Sequence, residues 1–546
     1  MSDGALDRLL ADDVVARIWQ RDATVFAPAR GDEAVARAVL NRLGWLTTPA
    51  DMQSEAGRVK AFADDVKAEG LDRVVLLGMG GSSLCAEVLR DVGGAEPGWP
   101  DLVVLDTTDE GAIHREAAVI DPARTLFIVA SKSGSTIEVT SLERYCRRLA
   151  TDALGAEAAG RRFVAITDPE TSLAAHARAH GYRDVFINPP DIGGRFSALS
   201  LFGLVPAALL GHDVDRFLQS GADMSAGCHQ TSSTNPGLAL GAFMIDAAQA
   251  GRDKLTLLLP PAFKAFGLWV EQLVAESTGK QGLGLIPVVG EPLYEIERYG
   301  ADRAFVVLSL DEDRSLATLG KALSQAGHPV LTLTTRREHL GAEFFRWEFA
   351  TAVAGAGLGI NPFDEPNVKE AKDQTSALLD DRAALERDLR AATGVTFMSG
   401  DGRHANPDAL TQLIASLKPG DYCGLLVWLT PEPALDDALQ LARDRITRRT
   451  GAATTVGIGP RYLHSTGQYH KGGPDTGVFV VITGDDATAT DVPGAGYSFS
   501  VLKRAQALGD LRALAAHGRR VVRVHVGSDV DNAGPAIEAA IREACR

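Results

Sequence analysis

The chain has 546 residues, enough for two or three domains with ample cores. Hydrophobic residues make up 45% and charged residues 23%, the balance of a globular protein rather than a disordered or fibrous one. Its net charge of −16 argues against nucleic acid or an anionic membrane as the main partner, yet a small basic pocket could still take an anionic metabolite. The opening MSDGALDRLLADDVVARIWQRD carries acids and no long apolar run, so no signal peptide is expected, and nowhere do eighteen apolar residues run together. A soluble, cytoplasmic protein is the expectation.

Residues 1–70 read as a helical segment. Leu6, Leu9, Leu10, Val14 and Ile18 recur at helical spacing, and Val35, Ala38, Val39 and Leu43 repeat it, which predicts a packing layer without chemistry. Alternation then begins. Val74–Leu77, Leu102–Leu105, Phe127–Ala130 and Phe163–Thr167 are short apolar runs separated by helical stretches, the pattern of a parallel sheet with helices on both faces. Ligands of such sheets sit at the carboxyl ends of the strands.

The first strand opens into Gly78-Met79-Gly80-Gly81-Ser82-Ser83. Gly78-x-Gly80-x-x-Ser83 nearly spells a dinucleotide fingerprint, and Asp106 after the next strand could hold a ribose. The third glycine is missing, however, and Gly80-Gly81-Ser82 equally suits close backbone approach to a sugar. A nucleotide site would also leave the next loop unexplained. There Phe127–Ala130 breaks into Ser131, Lys132, Ser133, Gly134, Ser135 and Thr136, ahead of an amphipathic helix through Val139, Leu142, Tyr145 and Cys146. Helix N-termini expose unpaired N–H groups and partial positive charge. One hydroxyl would serve as an ordinary cap; four hydroxyls and a lysine within six residues predict a phosphate cradle.

Gly193-Gly194-Arg195-Phe196-Ser197 follows, readable either as a surface turn or as a guanidinium brought close to a ligand. A second α/β region holds strands at Leu255–Leu259, Phe305–Leu308 and Val330–Leu333. Its first helix, with Phe263, Phe266, Val270, Leu273 and Val274 on the apolar face, is expected to end at Gly279. Gln272 and Glu276 share one side of that helix. Glu276 lies in the last turn, where the dipole disfavours negative charge. Surface noise offset by Lys280 and a base nudged upward for proton transfer are both open at this point. Helices around 343–358 and 366–381 flank Gly359-Ile-Asn-Pro-Phe-Asp-Glu-Pro-Asn367, with Lys369 and Lys372 beyond.

A further α/β segment has strands near 423–428, 453–457, 478–482 and 521–526, and between two of them runs the Gly-rich loop Tyr462-Leu-His464-Ser-Thr-Gly-Gln468-Tyr-His470-Lys471-Gly-Gly. Its two histidines lack helical metal-ligand spacing and an acidic companion cluster, so no metal is expected. The five cysteines, Cys85, Cys146, Cys228, Cys423 and Cys545, are scattered, form no CxxC pair and read as reduced, mostly buried thiols. The expected organisation is α/β: a helical segment 1–70, two doubly wound domains at 71–235 and 236–385, and a C-terminal α/β segment at 386–546.

Taken together, GMGGSS at 78–83, SKSGST at 131–136, GGRFS at 193–197, ESTGK at 276–280 and NPFDEPNVKEAK at 361–372 resemble the phosphoglucose isomerase family, in order. The resemblance covers roughly residues 70 to 385 plus LHSTGQYHKGG at 463–473. It implies two sugar-isomerase (SIS) domains with the active site between them, and interconversion of glucose 6-phosphate and fructose 6-phosphate with no metal and no other cofactor. It further implies that Gly80, Gly81 and Ser82 approach the sugar, and that Ser82, Ser131, Lys132, Ser133 and Thr136 hold its phosphate. By the same resemblance Gln272 lines the site, Glu276 moves a proton between C2 and C1, Arg195 stabilises the cis-enediolate, and His464 helped by Lys372 opens the sugar ring.

Three departures stand out. Glu365 occupies a position where the family usually has glutamine. SKSGST differs from the eukaryotic SKTxTT and is closer to general SIS loops. The LHSTGQ stretch follows the NPFDEP segment instead of preceding it, an order that resembles the isomerase half of transaldolase–isomerase fusions; residues 1–70 are too short for a transaldolase barrel of about 250 residues, so the isomerase half alone is expected. Family members are commonly homodimers in which the ring-opening histidine crosses from the neighbouring subunit, and the relocated His464 could instead reach its own site. Dual action on mannose 6-phosphate, or a non-catalytic SIS-type sensor, are the alternatives; a sensor need not keep the Glu/Arg/His set.

Overall fold

The computed structural model describes residues 4–381, 385, 395–400, 402–528 and 532–546. The first sheet contains β1 (Arg73–Leu77), β2 (Asp101–Leu105), β3 (Thr125–Ala130), β4 (Phe163–Thr167) and β5 (Asp184–Ile187). They are ordered β2-β1-β3-β4-β5, with every pair parallel. All six residues of β3 are buried, as expected of a strand covered on both faces. The strand order reverses between β1 and β3, and a crevice forms at such a point, off the carboxyl ends of the two strands. The loops that leave β1 and β3 are Gly78–Ser83 and Ser131–Thr136.

The second sheet is parallel too, ordered β7-β6-β8-β9 from β6 (Lys254–Leu258), β7 (Ile286–Val288), β8 (Arg303–Leu310) and β9 (Val330–Thr335). Helix Lys264–Thr278 crosses from β6 to β7, and Gly279 follows as its C-cap. The third sheet has the order β11-β10-β15-β14-β12-β13. β12 (Tyr422–Trp428), β13 (Ala453–Ile458), β14 (Gly477–Thr483) and β15 (Arg520–His525) run parallel, whereas β10 (Thr396–Ser399) and β11 (His404–Ala405) add an antiparallel edge. β5, β7, β10 and β11 go beyond the strands expected from the sequence. They are short, and β5, β10 and β11 are only partly buried, so no long apolar run announces them.

The helices of the first 70 residues share one apolar core with the first two sheets. Trp45 is fully buried against Phe196, Phe345 and Phe349. Burying an indole removes roughly 200 Å² from water, about 5 kcal/mol at most. Phe363 packs on both Phe196 and Phe26, at centroid distances of 5.3 and 5.1 Å. The N-terminal layer therefore clamps the 193–197 turn to the 361–365 segment. The third sheet has an apolar cluster on each face, one of which also takes in Ala275, Ile286 and Val288. No described helix is long and apolar enough to cross a membrane.

Candidate active site

Thr136 occupies the N-cap of helix Ile137–Leu154 without using its hydroxyl to cap it. That hydroxyl lies 3.1 Å from Ser131 Oγ, which also accepts from the Gly134 N–H at 3.2 Å. Ser133, Ser135 and Thr136 face a cavity of about 220 Å³ together with Glu138, Lys372, His464 and Gln506. Uncapped N–H groups, dipole and hydroxyls thus converge on one space, the arrangement that favours an anion. Lys132 is not part of it. Its ammonium pairs with Asp168 and donates to the Pro190 carbonyl at 2.9 Å.

The glycines after β1 pack against protein. A Cβ on Gly81 would stand 2.2 Å from the Gly194 oxygen, and one on Gly80, whose φ is +55°, would stand 2.8 Å from Gln272 Nε2 and 3.0 Å from the His464 oxygen. Their close approach sets the 193–197 turn and the His464 segment against each other, and Ser82 follows in the same half-buried turn.

Arg195 is buried and held at every nitrogen. Nε donates to Ser277 Oγ at 2.8 Å, Nη1 to Glu365 Oε2 at 3.0 Å, and Nη2 to the carbonyls of Pro362 and Asp364 at 2.7 and 3.0 Å. Nη1 also lies 3.4 Å from Glu276 Oε1. Glu276 Oε2 accepts from Gln272 Nε2 at 3.1 Å. Burial pushes the Glu276 carboxyl above its ordinary range; Arg195 opposes this and the neighbouring Glu365 adds to it. Glu365, 44% exposed, feels burial upward as well, but the Arg195 guanidinium prevails and brings it below the usual value. Lys280 does not offset Glu276. Its ammonium donates to Asn361 O and Asp364 Oδ1, both at 2.6 Å, and to the Asp364 carbonyl. Burial and the Arg195 charge push it down to about 8.

His464 reaches this place from its own chain. Its Nε2 lies 3.0 Å from Glu138 Oε1, and its carbonyl accepts from Gln272 Nε2 at 2.7 Å. Gln272 therefore bridges the histidine to Glu276, while its Oε1 is buried without a partner. The segment expected as a loop is helical, with a 3-10 turn at Arg461–His464 and helix Gly467–Gly472. Gln468 explains why. Its Nε2 donates to Gly279 O at 2.9 Å and Asn367 Oδ1 at 2.8 Å, and its Oε1 accepts from Asn367 N at 2.9 Å, which pins the segment to both neighbours. His470 points the other way, into the core, 2.8 Å from Tyr422 Oη. Lys372 is exposed on helix Pro366–Asp380 at the cavity wall.

Two residues of the site were not foreseen. Glu138 sits in the first turn of its helix, buried, where burial would raise its carboxyl but the His464 ring, then its own N–H and the Lys372 charge, hold it below the usual range. Gln506 Nε2 donates to Glu138 Oε1 at 2.7 Å, and Gln506 Oε1 accepts from Thr108 at 2.9 Å. A carboxylate two residues past the hydroxyl-rich turn was a usable signal for Glu138; nothing local marks Gln506. Among the described residues no group of three His, Cys, Asp or Glu could hold a metal ion.

The family model described as phosphoglucose isomerase matches residues 49–282. A glucose-6-phosphate isomerase from Lactobacillus delbrueckii subsp. bulgaricus is 28% identical over 387 residues, 62% of this chain and 86% of that protein. One from Rubrobacter xylanophilus is 29% identical over 364 residues, 58% of this chain and 84% of that protein. Among solved structures, a hypothetical protein from Thermus thermophilus superposes with a TM-score of 0.60 at 23% identity, covering 69% of this chain and 96% of its own. A glucose-6-phosphate isomerase from Chlamydia trachomatis gives 0.54 at 21% identity, covering 61% and 74%. These sequence matches support the phosphoglucose isomerase family for this chain, and the two solved structures share its fold.

Proposed function

We propose that the chain interconverts D-glucose 6-phosphate and D-fructose 6-phosphate, with Glu276 as the base and a cis-enediolate between them. The carrying observation is the Glu276–Arg195 pair at 3.4 Å, one hydrogen-bonded glutamine away from a histidine that lines a hydroxyl-rich anion pocket. The relatives named glucose-6-phosphate isomerase support this substrate.

The phosphate rests on Ser133, Ser135 and Thr136 at the open helix terminus, with Ser131 holding the turn from within through Thr136 and Gly134; Lys132 braces the turn through Asp168. His464, oriented by Glu138, carries a proton between the ring oxygen and O1, with Lys372 at the same wall, and the ring opens. The Glu276 carboxylate then takes the C2 proton. The freed electron pair forms the C1–C2 double bond, and the negative charge develops on O1 beside the Arg195 guanidinium. The same proton returns to C1 as the hydroxyl proton of O2 passes to O1 and the C2 carbonyl forms. A carboxyl raised by burial suits this task, because it takes and gives a proton more evenly near neutral pH. The unpartnered Gln272 Oε1 is free to accept from a sugar hydroxyl.

Glu276→Gln is expected to lower turnover by about a thousandfold while fructose 6-phosphate binding, read by calorimetry, stays within a few fold. Wild-type turnover in that variant would remove Glu276 from the mechanism.

A further inference from the structure

Helix Lys264–Thr278 has a second functional face. Gln272 and Glu276 look toward Arg195 and His464, whereas Ala265, Leu268 and Glu271 line a separate cavity of about 390 Å³. This space lies off the carboxyl ends of three parallel strands from three different sheets. Asp106 and Thr107 follow β2, Val289 and Gly290 follow β7, and Gly459 follows β13. Such strand ends are where α/β sheets hold ligands, and the volume is that of a small-molecule site. The isomerase chemistry uses none of it.

Among the described residues its interior carries one titratable group without a hydrogen-bond partner. Glu271 is 6% exposed, and its carboxyl has no hydrogen-bond partner among the described residues. The nearby guanidiniums are spent elsewhere. Arg443 donates to the carbonyls of Gly290, Val289 and Thr454 at 2.6, 3.0 and 2.7 Å. Arg461 pairs with Asp106 and Glu87, both at 2.7 Å. The exposed charges at the margin, Asp91 and Asp436 against Arg115 and Lys264, are balanced in number. Much of the remaining wall is apolar and includes Leu268, Val289 and Ile458. A buried carboxyl without donors beside an apolar wall matches a group rich in N–H donors on an aliphatic body; an ammonium supplies three donors and the compensating charge.

We propose that this cavity is a second ligand site, for a small aliphatic amine whose ammonium group binds Glu271 and whose body lies on Leu268, Val289 and Ile458. The readout is binding and not turnover, so the proposal stands or falls apart from the isomerase reading. Calorimetric titration of the full chain with n-butylamine is expected to show binding in the millimolar range, with n-butanol at least tenfold weaker. Glu271→Gln should weaken n-butylamine by at least tenfold. If that variant does not fold, Gln440→Trp decides instead: it places an indole at the cavity mouth from helix Pro433–Thr450 and should cost the same tenfold. Absence of binding to the wild type, n-butanol binding as tight as the amine, or undiminished affinity in the deciding variant overturns the site.

Discussion

Glu138 and Glu276 are both buried carboxyls, yet their surroundings push them in opposite directions. The His464 ring beside Glu138 holds it below the ordinary carboxylate range, whereas burial leaves Glu276 above it. In the proposed mechanism the first orients His464 and the second exchanges the proton. Glu138→Gln is expected to lower kcat about a hundredfold with little change in KM, since the histidine loses its anchor and the phosphate pocket stays intact; steady-state kinetics on the cyclic sugar check this. For Glu276 the sign is plain. As the proposed base, Glu276 works unprotonated, so kcat/KM is expected to fall as pH drops through a pKa lying above the usual carboxylate value. Glu365 contributes to that elevation, and Glu365→Gln should therefore move the acid limb of the pH profile downward. Glu271 makes a stability prediction of its own. Burial raises it from 4.5 to about 8 in the folded chain, so the fold keeps a proton that the unfolded chain releases. Stability should fall between about pH 4.5 and 8 by up to ~1.4 kcal/mol per unit, and a urea midpoint series should be flatter in Glu271→Gln.

Among the elements, the turns after β1 and β3 were legible because each breaks an apolar strand with glycine and hydroxyl residues, whereas β5, which precedes the 193–197 turn, is only partly buried and was not expected. What those turns touch was less legible. Gly80 and Gly81 read as close approach to a sugar; the structure spends that closeness on His464, Gln272 and the 193–197 turn. Gly81→Ala would place a methyl within 2.2 Å of the Gly194 oxygen and push the Arg195 turn away. It should cost about 1–3 kcal/mol in thermal or urea unfolding and lower kcat along with it. Lys280 was matched to Glu276 by proximity in sequence, but its ammonium serves the 361–364 carbonyls, because the last turn of helix Lys264–Thr278 docks on that segment. The C-terminal loop expected at 463–473 became helix, since Gln468 supplies three hydrogen bonds that only exist once residues 279 and 367 are beside it.

At the scale of the whole molecule, the three sheets meet so that one chain brings together Glu276, Arg195, His464 and the hydroxyl-rich turn. This yields a mixing test. Co-refolding Glu276→Gln with His464→Ala is expected to recover no isomerase activity, because each chain completes its own site; recovery would show the histidine crossing between chains. The apolar runs of the parallel sheets, the order of the motifs and the hydroxyl-rich turn were all determined by the sequence itself, since what a segment buries and how it caps are settled within a few residues. The tertiary structure alone decided that Lys132 pairs with Asp168, that His464 arrives in cis, and that Gln506 steadies Glu138 across 368 positions. A side chain's long-range partner depends on how finished sheets dock, and no local periodicity carries that docking.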